Sequence, residues 1–285
     1  MAESRNFCDT FIDQNVNNPK GYSFEDRFID IMSDPNNLLI PRCDKAGEVE
    51  GENVILHNGL RVSRQGYYGD FSQCLVRNYG CHEPAEERMF AEVLKDIGPG
   101  ATMIELGSYW AFYSMWFGKD IPDAKLYCIE PEQENLEVGR KNCELNNIKA
   151  DFTQGYIGGN QLNVSQFVKD KSIDFIDMLH SDIQGLEIEM LTDIKPLLKN
   201  KKIKYLFVST HSNDIHNKAR EIISECNYRI IADADFDEKT FCMDGIIVAC
   251  QNDNLTISET SLGNRSKTPL RNMPFDNLPP SNGEL

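Results

Sequence analysis

Three residues in the second half of the chain carry side chains suited to proton transfer or metal binding: His180, Asp182 and His211. His180 and Asp182 stand two apart at the end of IDFIDMLHSD (173–182), an apolar-rich run that reads as a buried strand. Residues two apart on a strand project to one side, so the pair is expected to face the same way. His211 closes the next apolar run, Ile203–Thr210. Neighbouring strands lie ~4.8 Å apart, which lets the three side chains converge. An imidazole with an unperturbed pKa is largely neutral at pH 7 and can take a hydroxyl proton, with a carboxylate to orient it. His211 is therefore the expected base and Asp182 its partner, with His180 beside them. The alternative is a divalent metal held by His180, Asp182 and His211, which just reaches the three ligands such a site wants. The base is preferred because it needs no particular orientation of His180. His216 is expected to be peripheral, and His57, next to a turn, exposed.

A second set lies upstream in MIELGSYWAFYSMWF (103–117). Glu105 interrupts an apolar strand, and Gly107 follows it. A residue without a side chain lets a ligand approach the backbone, and a helix beginning at Ser108 would offer free N–H groups. Glu130 ends the next strand (125–130), held at the rim by Pro131; a carboxylate there can accept from both hydroxyls of a ribose. Dinucleotide sites use G-x-G-x-x-G so that backbone can reach a pyrophosphate. Here Tyr109 stands in place of the second glycine, and Ala111 follows. S-adenosylmethionine has a ribose and an adenine but no pyrophosphate, and fits this pattern better than a nicotinamide cofactor. Tyr109 is expected to face the cofactor. Trp110, Phe112, Tyr113, Trp116 and Phe117 are expected to pack helix against sheet.

The elements that must position these residues follow from periodicity. A short helix is expected over Ser23–Met32, with Phe24, Phe28 and Met32 recurring every four residues. A hairpin is expected over Asn53–Ser63, with a type I′ turn at Asn58-Gly59, and a further short helix within 66–80. Pro84 suits the first turn of a helix ended by Gly98-Pro99-Gly100, with Glu83, Glu86 and Glu87 placing negative charge at its start. Strands and helices then alternate: strands at 102–106, 125–130, 151–156, 173–182 and 203–210, then 228–233 and 243–249 as an antiparallel pair. That order predicts an α/β fold with a largely parallel sheet. We read residues 1–82 as a tail and small N-terminal cap, 83–250 as the main domain, and 251–285 as a polar, Pro-containing tail. Tyr67 and Tyr68 in the cap could stack on a sugar or aromatic substrate.

In their order and spacing, ELGSYWAFYS, CIEPEQENLEVGRKN, LHSDIQGLEIEML and VSTHS resemble the FkbM family of S-adenosylmethionine-dependent methyltransferases, over about residues 83–249. The segment D-x-Q-G-x-E-x-E-x-L (182–191) is the most specific part. The resemblance implies a Rossmann-like seven-stranded methyltransferase sheet, with the cofactor at the ends of its first three strands. It also implies O-methylation of a hydroxyl on a sugar, glycan or small natural product. By position, Glu105 and Gly107 match the acid and glycine of the first motif, Ser114 the small hydroxyl that ends it, and Glu130 the ribose acid. With Ser108 and Tyr109 these form the expected cofactor-binding set. Ala111 departs from the usual glycine, and Ile183-Gln184-Gly185 from the more common Val-Glu-Gly.

Composition narrows the partners. A net charge of −16, from 45 acids against 29 bases, disfavours nucleic acid, whose binders carry Lys/Arg-rich surfaces. No stretch approaches the ~20 apolar residues of a membrane helix. The first residues lack a signal peptide's layout, so a cytoplasmic protein is expected. Nine cysteines without a CxxC pair give no zinc ribbon or redox motif, and Cys128, Cys226 and Cys250 read as reduced core residues. Asn163, Asn254 and Asn264 begin N-x-S/T triplets that read as chance. The expected partner is a small-molecule or glycan acceptor, and oligomeric state is left open. Two other readings remain at this stage: a nicotinamide-dependent oxidoreductase, and a cofactor-binding interaction module without catalysis.

Overall fold

The computed structural model describes residues 24–64, 72–158, 161–235, 241 and 244–263. The expected N-terminal tail, Tyr67 and Tyr68, and most of the C-terminal stretch lie outside the described residues.

Helix α1 (Phe24–Ser33) is followed by a 3-10 turn over Pro35–Leu39 and a small antiparallel sheet of β1 (Val49–Glu50), β2 (Asn53–Ile55) and β3 (Arg61–Ser63). The apolar stripe of α1 differs from the expected one: Ile31 is buried and Met32 exposed. The β2–β3 hairpin is present, but its turn is not type I′. Gly59 has φ +86° and Asn58 no positive φ. Leu56 O accepts from Gly59 N (2.9 Å) and Leu56 N donates to Leu60 O (2.7 Å), which makes a three-residue loop. Helix α2 (Ser72–Arg77) completes this region.

The main sheet follows the expected alternation. After α3 (Pro84–Leu94) come β4 (Thr102–Leu106), α4 (Phe112–Asp120), β5 (Lys125–Glu130), α5 (Gln133–Leu145) and β6 (Asp151–Gln154). Then come α6 (Val164–Asp170), β7 (Ile176–Ser181), α7 (Glu187–Lys199), β8 (Ile203–Thr210), α8 (Asn213–Glu225), β9 (Tyr228–Ala234) and β10 (Gly245–Gln251). Helix α6 was not expected; Asn163, the first of the chance-like triplets, caps it by accepting from Gln166 N.

Seven strands pair in the order β6-β5-β4-β7-β8-β10-β9, parallel except that β10 runs antiparallel to both β8 and β9. This is the Rossmann-like α/β sheet the sequence led us to expect. The chain builds outward from β4 to β6, then returns to place β7 on the other side of β4. The strand order therefore reverses between β4 and β7, and ligands of open α/β sheets lie beyond the strand ends at such a point. Every residue of β4 is buried, as a central parallel strand covered on both faces requires.

One face of the sheet packs on α6, α7 and α8 through Ile104, Leu106, Ile129, Leu179 and Leu206. The other face presents Met103, Cys128, Met178, Tyr205 and Phe207, and these join Phe90 of α3 and the aromatics of α4 in a second cluster. Val54, Leu56, Leu60, Val62 and Leu75 belong to that same cluster, so the N-terminal elements share a core with the sheet. The backbone from 252 also returns here: Thr260 N donates to Ile231 O (2.7 Å), and Leu262 is buried.

Candidate active site

The loop after β4 is built by a close crossing. Asp182 N donates to Leu106 O (3.0 Å), and a β carbon on Gly107 would lie 1.8 Å from the Asp182 carbonyl oxygen. With φ +70°, position 107 needs glycine both for its backbone conformation and for this approach. The space we assigned to a ligand is thus filled by the turn after β7. The loop then holds Tyr109 (φ +44°) and Ala111 (φ +61°) in left-handed conformations. These two residues stand where dinucleotide sites and the resembling family would use glycine, so the chain keeps a glycine-like loop shape at some strain.

The helix begins at Phe112 rather than Ser108, and the loop's N–H groups are not free as expected. Gly107 N and Ser108 N both donate to Ile129 O (2.9 and 3.0 Å), Tyr109 N to Glu130 Oε2 (3.0 Å), and Ala111 N to Ser108 O (2.6 Å). Gly139 on α5 lets that helix approach the loop; a β carbon there would lie 2.7 Å from Tyr109 O.

The two strand-end acids have different roles. Glu105 is buried and accepts from Ser114 N (2.9 Å) in the first turn of α4. Burial raises its carboxyl pKa, against the pull of His180 and Ser114. The Ser114 hydroxyl is buried against Cys128 Sγ, 3.3 Å away. Glu130, at the tip of β5, accepts from Glu132 N (3.1 Å) and Asn135 Nδ2 (3.3 Å) at Oε1 and, among the described residues, at Oε2 only from Tyr109 N. A carboxylate oxygen has two lone pairs, so Oε2 keeps one for a further donor. Burial raises the Glu130 pKa also, opposed by these hydrogen bonds.

Asp182 and His211 meet as expected, with Oδ1 and Nε2 3.2 Å apart. His180 does not join them. Its Nε2 lies 2.6 Å from Glu86 Oε1 on α3, and its ring centroid is 4.2 Å from that of Tyr113. A buried carboxyl on the covering helix has taken the imidazole, so the three-ligand metal alternative is not assembled. Among the described residues, no group of three or more His, Cys, Asp or Glu is placed to hold a metal ion. His211 instead gains two acids that sequence reasoning missed. Its Nδ1 lies 2.7 Å from Glu187 Oε1, and its Nε2 lies 3.5 Å from Asp244 Oδ1. Burial disfavours charge on His211, but Asp244, Asp182 and Glu187 outweigh it and hold the imidazole protonated well above the usual range. The histidine is therefore not unperturbed. Burial likewise works against the Asp182 carboxylate, and the His211 bond overcomes it, keeping its pKa low.

Behind the site runs a buried polar array on α3. His57 Nε2 and His82 Nδ1 flank Glu87 (2.9 and 2.7 Å), and Tyr113 donates to Glu83 (3.0 Å). His57 is thus buried, not exposed, because it packs edge-on to Trp116 and pairs with Glu87. His216 stays outside the Asp182–His211 pair, as expected, but it is buried and paired with Asp233. Glu86 and Glu87 stand in the first turn of α3 as expected, but they are buried and face inward, with Glu83 half-buried beside them. Helical spacing held the signal: Glu86 is in phase with Met89, Phe90 and Val93.

No family model matches this chain, and neither does any curated protein. Similar solved structures include a precorrin-6y C5,15-methyltransferase from Geobacter metallireducens, at 14% identity over 58% of this chain and 88% of that one, TM-score 0.43. TrmK of M. capricolum, in complex with S-adenosyl-homocysteine, is similar at 20% identity over 57% and 68%, TM-score 0.40. A ribosomal protein L11 methylase from Lactobacillus delbrueckii subsp. bulgaricus is similar at 13% identity over 57% and 77%, TM-score 0.41. Likeness at this level says nothing of the reaction, which has to be argued from the side chains.

Proposed function

We propose that this protein is an S-adenosylmethionine-dependent O-methyltransferase, akin to the FkbM family, acting on a hydroxyl of a sugar, glycan or small natural product. The observation that carries the choice of cofactor is the loop after β4. Its N–H groups at 107, 108, 109 and 111 are all taken by protein acceptors, so none of these four is left to cradle a pyrophosphate. What remains open is an acceptor, the free lone pair of Glu130 Oε2, which suits a ribose hydroxyl. That favours S-adenosylmethionine over a nicotinamide dinucleotide. Bound there, it would supply an electrophilic methyl group.

In this reading Glu130 and the loop fix the ribose, and the ends of β7 and β8 serve the acceptor. The hydroxyl proton passes to neutral His211 as the methyl group arrives. Glu187, at Nδ1, orients the ring so that Nε2 takes the proton, and Asp182 and Asp244 beside Nε2 stabilise the imidazolium that forms. Stabilising the charged product makes His211 a stronger base, and leaves a smaller fraction of it ready at neutral pH. Replacing His211 by alanine should lower turnover by ~10²–10⁴-fold while S-adenosylmethionine affinity stays near wild type. Labelled-methyl transfer to a panel of hydroxylated acceptors, with and without a chelator, checks this. Turnover retained in the variant would remove His211 from the mechanism, and activity lost to chelator and restored by a divalent cation would replace the metal-free base.

A further inference from the structure

Successive residues at the end of β8 reach different neighbours. Ser209 Oγ lies 3.2 Å from Glu86 on α3, whereas Thr210 Oγ1 lies 2.8 Å from His216 Nδ1 on α8. The next residue is His211, held among Asp182 from the turn after β7, Glu187 from α7 and Asp244 ahead of β10. Thr210 and His216 are both buried. The other nitrogen of His216, Nε2, lies 2.9 Å from Asp233 Oδ1 on β9, and Arg220 Nε lies 3.0 Å from Asp233 Oδ2. An ionised carboxylate only accepts, so Nε2 carries a hydrogen toward Asp233, and the Thr210 hydroxyl, which can donate or accept, holds Nδ1. On its other side Thr210 pairs with Gly245, the residue after Asp244. Ser212 accepts from Ile215 N (3.1 Å) and caps α8. The residues on both sides of His211 are therefore tied down by side-chain bonds to α8.

We propose that Thr210, His216 and Asp233 form a positioning relay that fixes the end of β8 so that His211 meets Asp182, Glu187 and Asp244. This rests on the assignment of His211 as the base. The relay touches none of the residues assigned to the cofactor, and toward the acceptor it acts through His211. Misplacing a reacting group by about 1 Å costs on the order of a hundredfold in rate, so loss of the relay should appear in kcat rather than in KM.

The test uses Thr210→Val, nearly isosteric, beside Thr210→Ser, which keeps the hydroxyl. Two quantities are measured: steady-state methyl transfer, and the His211 ring pKa by NMR of histidine-labelled protein, its signal identified by loss in His211→Gln. Thr210→Val should lower kcat roughly ten- to a hundredfold with acceptor KM within about twofold, and Thr210→Ser should restore kcat. The His211 pKa should fall toward the ordinary value in Thr210→Val and recover in Thr210→Ser. Asp233→Asn, at the far end of the relay, should shift both quantities in the same direction and serves if Thr210→Val does not fold. An unchanged His211 pKa and kcat in a folded variant would overturn the proposal, as would a serine variant no better than the valine one. Because the ring pKa is read without substrate, its movement supports the relay even if wild-type protein methylates no acceptor, a result that would remove the methyl-transfer reading instead.

Discussion

His211 sits among three carboxylates, and that sets how the proposed proton transfer answers to pH. Its pKa is held well above the ordinary range, so the neutral form grows only as pH rises past neutrality. On the role assigned to it, kcat should climb with pH with the slope of one proton and a midpoint above 6.5. Asp244→Asn removes a stabilising carboxylate and should move that midpoint toward acid, detectable in pH–rate profiles of the two proteins. A midpoint at or below 6.5 in wild type would show that another group limits the rate. The meeting of Asp182 and His211 was legible because strand ends in a parallel sheet lie side by side. Asp244 was not, because nothing local links the residue before β10 to the end of β8. His180 was misread because strand alternation gives the side a residue faces, not which covering group claims its nitrogen.

At the scale of the element, the β4–loop–α4 unit was largely legible, but the reason for its glycine was not. Gly107 is required by the crossing of Leu106 and Asp182, a contact between segments 76 residues apart in the chain. Gly107→Ala would place a methyl 1.8 Å from a backbone oxygen in a left-handed conformation, so the two strand ends must part. A loss above about 4 kcal/mol, or failure to fold, is expected. Ala111→Gly at φ +61° is the contrasting case: relief of about 1–2 kcal/mol of left-handed strain is offset by added chain freedom and a lost buried methyl. Its stability should stay within about 1 kcal/mol of wild type by denaturant titration. If both variants behaved alike, the account of this loop would fail. Helix α3 is the element sequence reading placed well: Pro84 starts it and Met89, Phe90, Val93 and Leu94 face the core, but the inward turn of its acids was not foreseen.

Across the whole molecule, α3 joins the N-terminal elements to the sheet through buried charge. Burial opposes ionisation of both Glu87 and His82, yet their mutual attraction prevails: Glu87 is held well below its usual pKa and His82 above its own. The Glu87 contribution is present above about pH 4.5 and lost as pH falls through its depressed pKa, whereas that of His82 is lost as pH rises past its elevated one. Glu86 behaves oppositely to Glu87. Burial and nearby Asp182 push it up to about 8, so folded protein binds the extra proton and stability declines as pH rises from about 4.5 to 8. Glu86→Gln keeps the neutral shape. Its melting temperature relative to wild type should therefore rise with pH, by at least ~1 kcal/mol or roughly 2–4 °C between pH 5 and 8. A difference that stays flat or falls across that range would contradict the buried-acid account. The succession of strands and helices was legible from apolar runs, whereas the strand order and this buried array were not. Charged residues carry no sequence mark of burial unless their spacing is compared with the apolar stripe.

The central claim is that the strand ends bind a ribose-bearing cofactor without a pyrophosphate, through Glu130. Titration calorimetry of wild-type protein and Glu130→Ala with S-adenosylmethionine and with NAD tests it most directly. The account predicts binding of S-adenosylmethionine and not of NAD. It also predicts a loss of about 1.5–3 kcal/mol, roughly ten- to a hundredfold in Kd, when Glu130 is removed. NAD binding in preference to S-adenosylmethionine, or unchanged affinity in a folded Glu130→Ala, would contradict it.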